Sequence, residues 1–191
     1  DKDERIFAQY MADHEEALAV VFDALCHSER STIHSINEID AIGHRIVHGG
    51  NYFDSSVLIT PDVIKKIESL CTLAPLHNPP ALKCINVCQS MAPDMPQVAV
   101  FDTSFFQSLP ASAYMYPLPY ELCEKHQIRK YGAHGTSHRY IAQRCAALME
   151  QPLEDLKIIT CHLGNGCSIS AVDHGIAVDT SMGFTPLDGL M

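Results

Sequence analysis

Residues 157–183, KIITCHLGNGCSISAVDHGIAVDTSMG, constrain the fold of this 191-residue chain more than any other stretch. An apolar, β-branched run at 157–161 meets a sharp turn through His162-Leu163-Gly164-Asn165-Gly166. A second alternating run covers 167–172, and a third follows Asp173-His174-Gly175. Apolar runs of this length cut by tight turns predict three short strands in succession. The first turn carries two glycines, an asparagine and a histidine. Glycine lets a backbone approach a ligand and present its N–H groups, an arrangement that suits phosphate. An ordinary hairpin whose glycines only satisfy the turn fits the same residues.

The length allows one or two domains. A hydrophobic share of 47% is that of a globular protein with a buried core. No window approaches the roughly 18 consecutive apolar residues of a membrane span. The first stretch, DKDERIFAQYMADHEE, is acidic and polar and does not read as a signal peptide. The net charge of −10 argues against nucleic acid and anionic membranes as partners. It leaves a phosphorylated ligand open, because local arginine, histidine, backbone N–H groups and a metal can hold one. The eight cysteines form no CxxC pair and sit mostly among apolar neighbours, as reduced core thiols of a cytoplasmic protein do. The eleven histidines show no HExxH and no paired Cys/His spacing, which argues against structural zinc.

Taken in order, residues 13–26 predict an amphipathic helix with Ala17, Leu18, Val21, Phe22 and Leu25 packed on the core. Asp13 is its expected cap, with Glu16 three residues on. Residues 39–48 read as a buried strand that contains Arg45. A charge there needs a partner. It is either one half of a structural ion pair or a guanidinium held for carboxylate or phosphate. Thr60-Pro61 starts a helix to about Leu73, and Asn78 is placed to cap another from about Pro80 to Met91. Residues 97–102 form a strand that ends on Asp102. That carboxylate is a catalytic or metal group at the strand's C-terminal end, or a cap for the turn at Thr103. A short helix spans Tyr120 to His126. A further helix follows His134-Gly135, capped by Thr136 or Ser137, with Ile141, Cys145, Leu148 and Met149 on one face. His134 precedes its N-terminus, where free N–H groups favour an anion. Gln151-Pro152 marks the expected domain boundary.

Arg45, His48, His77, Asn78, Asp102, His134, His138 and His162, with the glycines at 164 and 166, combine as a phosphoryl-transfer site would. The strings HRIVHGG (44–50), APLHNP (74–79), FDTSF (101–105), YGAHGTSHRY (131–140), HLGNGCS (162–168) and VDTSMGFTPLDGL (178–190) resemble the acetokinase family, from about Glu38 onward. The family includes acetate kinases and the close propionate kinases. The resemblance implies an α/β fold of the actin-like, sugar-kinase-like (ASKHA) type with two domains. Residues 1–151 would form most of the N-terminal domain and 152–191 the start of the nucleotide-binding C-terminal domain. It further implies ATP-dependent phosphorylation of acetate to acetyl phosphate, reversible, by direct in-line transfer. Mg²⁺ (or Mn²⁺) is the implied cofactor, and the full-length protein would be a cytoplasmic homodimer.

Carried over by position, Arg45, Asp102 and His134 are the implied catalytic residues. Arg45 would hold the carboxylate or the moving phosphoryl group, and His134 would stabilise its equatorial oxygens. Asp102 would organise the metal or the nucleophile. Val47, Leu76 and His77 would join Arg45 in binding the acid. His162, Leu163, Gly164, Asn165 and Gly166 would face ATP. Three positions depart from the family: Ala133 where phenylalanine is frequent, Phe106 where histidine is usual, and Pro80 where alanine is usual. An N-terminal Asn-x-Gly-Ser-Ser-Ser strand, a GTRSGD-type arginine motif, an adenosine segment and a late glutamate are absent, so the chain reads as a fragment that is not itself a competent kinase. A non-catalytic nucleotide- or acyl-binding module of the same fold is the alternative.

Overall fold

The computed structural model describes residues 10–27 and 31–190. The reading of the acidic first stretch therefore lies partly outside the described residues. In chain order the elements are α1 (His14–His27), β1 (Ile42–Ile46), β2 (Val57–Leu58), α2 (Pro61–Ser69), α3 (Asn78–Met91), β3 (Gln97–Phe101), α4 (Ala111–Tyr114), α5 (Tyr120–His126), α6 (Gly135–Leu148), β4 (Lys157–Leu163), β5 (Cys167–Asp173) and β6 (Ile176–Thr180). A 3₁₀ turn, Asp102–Phe106, follows β3 directly.

Two three-stranded sheets organise the chain. In the first, β1 runs parallel to β3, with Ile42 opposite Gln97 and Ile46 opposite Phe101. The short β2 lies antiparallel on the other side of β3. Two helices, α2 and α3, lie in the crossover from β1 to β3, as parallel pairing requires. Ile46, Phe53, Val63, Ile67, Leu82, Ile85, Ala99 and Phe101 form the core between them. The Phe53 and Phe101 rings stack at 4.1 Å. The second sheet is the antiparallel meander β4-β5-β6, with a bulge at Ala171/Val172. Its core joins Val172 and Ala177 to Phe105, Phe106, Leu109 and Ala142. Helix α6 packs against both the 3₁₀ turn and β4 and so ties the two sheets together. Among the described residues, no helix is long and apolar enough to cross a membrane.

Several local expectations hold and several are corrected. Asp13 caps α1, its carboxylate accepting the N–H groups of Glu15 and Glu16. Thr60 caps α2 through Val63 N at 3.3 Å. The expected core face of α1 is not buried, with Val21 51% and Leu25 37% exposed. The helix rests chiefly on α3, and one neighbour covers only part of an apolar stripe. Strand β1 stops at Ile46, short of His48, and Arg45 lies on its exposed side. Helix α2 ends at Ser69 and passes into turns. Asn78 is the first residue of α3 and caps nothing. Its buried side chain is spent on His48, donating to the carbonyl at 3.0 Å and accepting the N–H at 3.2 Å.

The buried face of α6 is Gly135, His138, Ala142 and Ala146. The face of Ile141 and Leu148 is turned outward: Ile141 is 43% and Leu148 75% exposed. Close approach of the 3₁₀ turn and β4 selects the small side chains instead. Neither Thr136 nor Ser137 caps the helix, because both hydroxyls are engaged in the site. All eight cysteines are free, but only Cys88 and Cys167 are buried and Cys161 is exposed.

Candidate active site

The end of β1, the turn after β3 and the start of α6 converge on Asp102. Its side chain is 1% exposed. The guanidinium of Arg45 clasps it with two donors, Nε to Oδ1 at 3.2 Å and a terminal nitrogen to Oδ2. Thr136 donates to Oδ1 at 2.7 Å. The Arg45 side chain is 58% exposed, so the ion pair formed in the fold leaves a cation facing solvent. Asp102 does not cap the turn at Thr103. The Thr103 hydroxyl instead accepts the N–H of Gly49 at 2.9 Å.

His134 sits one residue before α6 in the left-handed region, with φ of 61°. That conformation costs a non-glycine residue about 1–2 kcal/mol. The surrounding contacts hold it there. Its Nδ1 meets Ser168 Oγ at 2.9 Å, and the same oxygen meets Nε2 of the buried His138 at 2.8 Å. His138 Nδ1 continues to Thr160 Oγ1 at 2.7 Å. The His134 ring lies on that of His162, centroids 4.0 Å apart and planes 25° apart. His162 is anchored in turn by Ser137 at 2.9 Å. Burial, and then the charge of a protonated His162, lower the His134 pKa from its ordinary value. Burial holds His138 down to about 4.

The glycine turn differs from expectation. The N–H of Gly164 is bonded to the Gly166 carbonyl at 3.2 Å and is not free. Gly166 is required by a neighbour: a Cβ there would lie 3.1 Å from His134 Cε1 and 3.2 Å from Nε2. Leu163 is 74% exposed at the end of β4.

Beside this polar group lies a mainly apolar cavity of about 190 Å³. Val47, Leu76, His77, Ala133, Phe184 and Pro186 line it. Leu76 stands at the rim, 81% exposed. The two halves of the site are joined through the backbone, since Val47 follows Arg45 by two residues, Thr103 follows Asp102, and Ala133 precedes His134.

A metal finds no ready site. Among the described residues, no group of three His, Cys, Asp or Glu is placed to bind one. Both Asp102 oxygens are already occupied.

The sequence model described as the Acetokinase family matches residues 1–191. The chain belongs to the acetokinase family. The acetate kinase of Thermoanaerobacterium thermosaccharolyticum is 58% identical over 180 residues, covering 94% of this chain and 45% of that protein. The acetate kinase of Alkaliphilus metalliredigens is 56% identical over 190 residues, covering 100% of this chain and 48% of that protein. The chain spans about half the length of the curated relatives it matches. The crystal structure of Porphyromonas gingivalis acetate kinase superposes with a TM-score of 0.91 at 47% identity, over 96% of this chain and 46% of that one. A Francisella tularensis propionate kinase superposes with a TM-score of 0.85 at 49% identity, over 93% and 44%. The fold is therefore the actin-like α/β type of the acetokinases, matched over about half the length of those structures.

Of the residues singled out in this acetokinase sequence, Arg45, Asp102, His134 and His162 come together, and Val47, Leu76 and His77 line the neighbouring cavity. The hydroxyls of Thr136, Ser137 and Ser168 were not foreseen as site residues. All three stand inside the strings YGAHGTSHRY and HLGNGCS, so the signal was present. Phe184 and Pro186 stand likewise inside VDTSMGFTPLDGL.

Proposed function

We propose that the protein carrying this chain transfers the γ-phosphoryl group of ATP to the carboxylate of acetate, giving acetyl phosphate and ADP reversibly. The observation that carries the reading is the small apolar cavity set against the Arg45, Asp102 and His134 group. An acid that buries its alkyl tail between Val47, Leu76 and Ala133 directs its carboxylate toward those side chains. A carboxylate oxygen then attacks the γ-phosphorus in line. The new P–O bond forms as the bond to the leaving ADP oxygen breaks, without a phosphoenzyme. Such chemistry needs positioning and charge stabilisation more than covalent work.

In this reading Arg45 neutralises the carboxylate or the moving phosphoryl group, and Asp102 fixes the guanidinium plane. His134 offers its Nε2, which makes no hydrogen bond among the described residues, to the equatorial oxygens. His162, Leu163, Gly164, Asn165 and Gly166 face the nucleotide, with the first-turn N–H groups of α6 close by. Mg²⁺ (or Mn²⁺) is the divalent cation the family implies, and it would enter on the phosphates of ATP. Among the described residues, no group of three His, Cys, Asp or Glu is placed to hold it. The domain boundary is placed at 151/152, between α6 and β4, with the core of the second sheet shared across it. A cytoplasmic homodimer is the expected full-length form.

Propionate is the second reading. A volume of about 190 Å³ exceeds what a methyl group fills, and a propionate kinase is among the similar structures. The deciding experiment is hydroxamate trapping of acyl phosphate by the full-length protein with ATP, Mg²⁺ and acetate, propionate or butyrate. Product with acetate foremost supports the first reading, and propionate foremost supports the second. No product from any acid would leave a nucleotide- or acyl-binding module.

A further inference from the structure

We propose that Tyr116 is a positioning residue that sets one wall of the acyl cavity and, through it, the choice among short carboxylic acids. This rests on the acyl-phosphate reading above. The wall in question is Phe184-Thr185-Pro186, which lines the cavity together with Val47, Leu76 and Ala133. Its residues lie beyond β6, outside either sheet, so no strand pairing fixes their distance from the rest of the lining.

One hydroxyl group ties the start of this segment, Phe184, to Asp188 just beyond its end. Tyr116 Oη accepts the N–H of Phe184 at 2.7 Å and donates to Asp188 Oδ2 at 2.7 Å. Between these points the chain makes one 3₁₀ turn, Pro186–Asp188, capped by Thr185. On the far side, the Gly183 carbonyl accepts the N–H groups of Tyr131 at 3.0 Å and Gly132 at 3.2 Å. Those two residues lead directly into Ala133 and His134. The clamp closes over a bare Cα, since a Cβ on Gly183 would overlap both Tyr116 Oη and Asp188 Oδ2. The Phe184 ring lies 6.2 Å from that of Tyr131. Tyr116 itself does not line the cavity, so it acts only through the wall it holds.

Removing the hydroxyl leaves the Phe184 N–H and the Asp188 carboxylate without this partner. The segment relaxes outward and the cavity widens. A small apolar pocket registers such a change as altered discrimination between acids that differ by one methylene.

The test is Tyr116→Phe in the full-length protein, with kcat/KM measured for acetate, propionate and butyrate and KM measured for ATP. The propionate-to-acetate ratio should rise roughly 3- to 10-fold, part of what one methylene is worth in such a pocket. KM for ATP should stay within about 2-fold, since the clamp touches no residue assigned to the nucleotide. Asp188→Ala should reproduce the shift, whereas Asp188→Asn, which keeps an acceptor oxygen, should not. If Tyr116→Phe is insoluble, the two Asp188 variants read the same clamp from its other end. An unchanged acid ratio in Tyr116→Phe and Asp188→Ala, with wild-type turnover intact, overturns the proposal alone. Absence of acyl phosphate from the wild type overturns it together with the proposed function.

Discussion

The imidazole of His134 lies nearly parallel on that of His162, 4.0 Å between centroids, and each ring is tethered at Nδ1 by a serine hydroxyl. Neither ring can turn without breaking its tether or meeting the other. Gly166 closes the third side of His134. A methyl group at Gly166 would press on the ring at 3.1 Å, so the ring must give by a few tenths of an ångström.

Gly166→Ala should therefore lower kcat by about 10-fold, since misplacing a reacting group by about 1 Å costs up to 10²-fold. KM for the acid should change little. Steady-state kinetics of the full-length protein check this. A variant with wild-type kcat would mean that the position of His134 is not limiting.

The bidentate clasp of Arg45 on Asp102 gives a second expectation. Arg45→Ala removes the solvent-facing cation and two of the three donors to a buried carboxylate. Activity should fall by on the order of 10²–10³, the range for losing one preorganised charge contact. Arg45→Lys should recover little, because an ammonium cannot reproduce the planar fork. A lysine variant that restored most of kcat would show that charge alone suffices.

Much of this was legible in the chain. The meander was readable from Lys157 onward because alternation, Asn-Gly and His-Gly turns are local signals. Thr60-Pro61 announced α2 for the same reason. Less legible were features set by neighbours far along the chain. Asn78 reads as a helix cap, yet its amide holds His48, thirty residues away. Thr136 and Ser137 read as caps, yet their hydroxyls serve Asp102 and His162. Large residues on α6 do not mark its buried face, because closeness to another element selects Ala142 and Ala146 over Ile141 and Leu148. The charged residues of the site were visible as types, whereas the hydroxyls that orient them became visible only in three dimensions.

Ala133 gives a third expectation. It is 7% exposed, lines the cavity, and immediately precedes His134. Ala133→Val should narrow the cavity and select against longer acids. The propionate-to-acetate ratio of kcat/KM should drop by roughly 10-fold or more, the usual discrimination for one methylene against a filled wall. Competition assays with mixed acids measure the ratio directly. A ratio that rose would place the tail elsewhere.

Three buried histidines make stability depend on pH. His48 accepts the N–H of Gly50 at Nδ1, so its neutral ring carries the proton on Nε2, buried and without a hydrogen-bond partner among the described residues. Burial lowers its pKa to about 4, as it does that of His138. His44 is lowered in the same direction by burial, partly offset by its bond to Gln97. Near pH 6.5 and below, the unfolded chain binds protons at these rings that the native protein excludes. Stability is thus fully present above about pH 6.5 and declines as pH falls toward 4, by on the order of 3 kcal/mol for each of the two most shifted rings. Urea midpoints measured at about pH 7.5 and about pH 5 should differ accordingly, and His138→Gln should flatten the slope even though it lowers stability at neutral pH. A wild-type midpoint that did not move over this interval would mean that the two rings titrate normally in the native state.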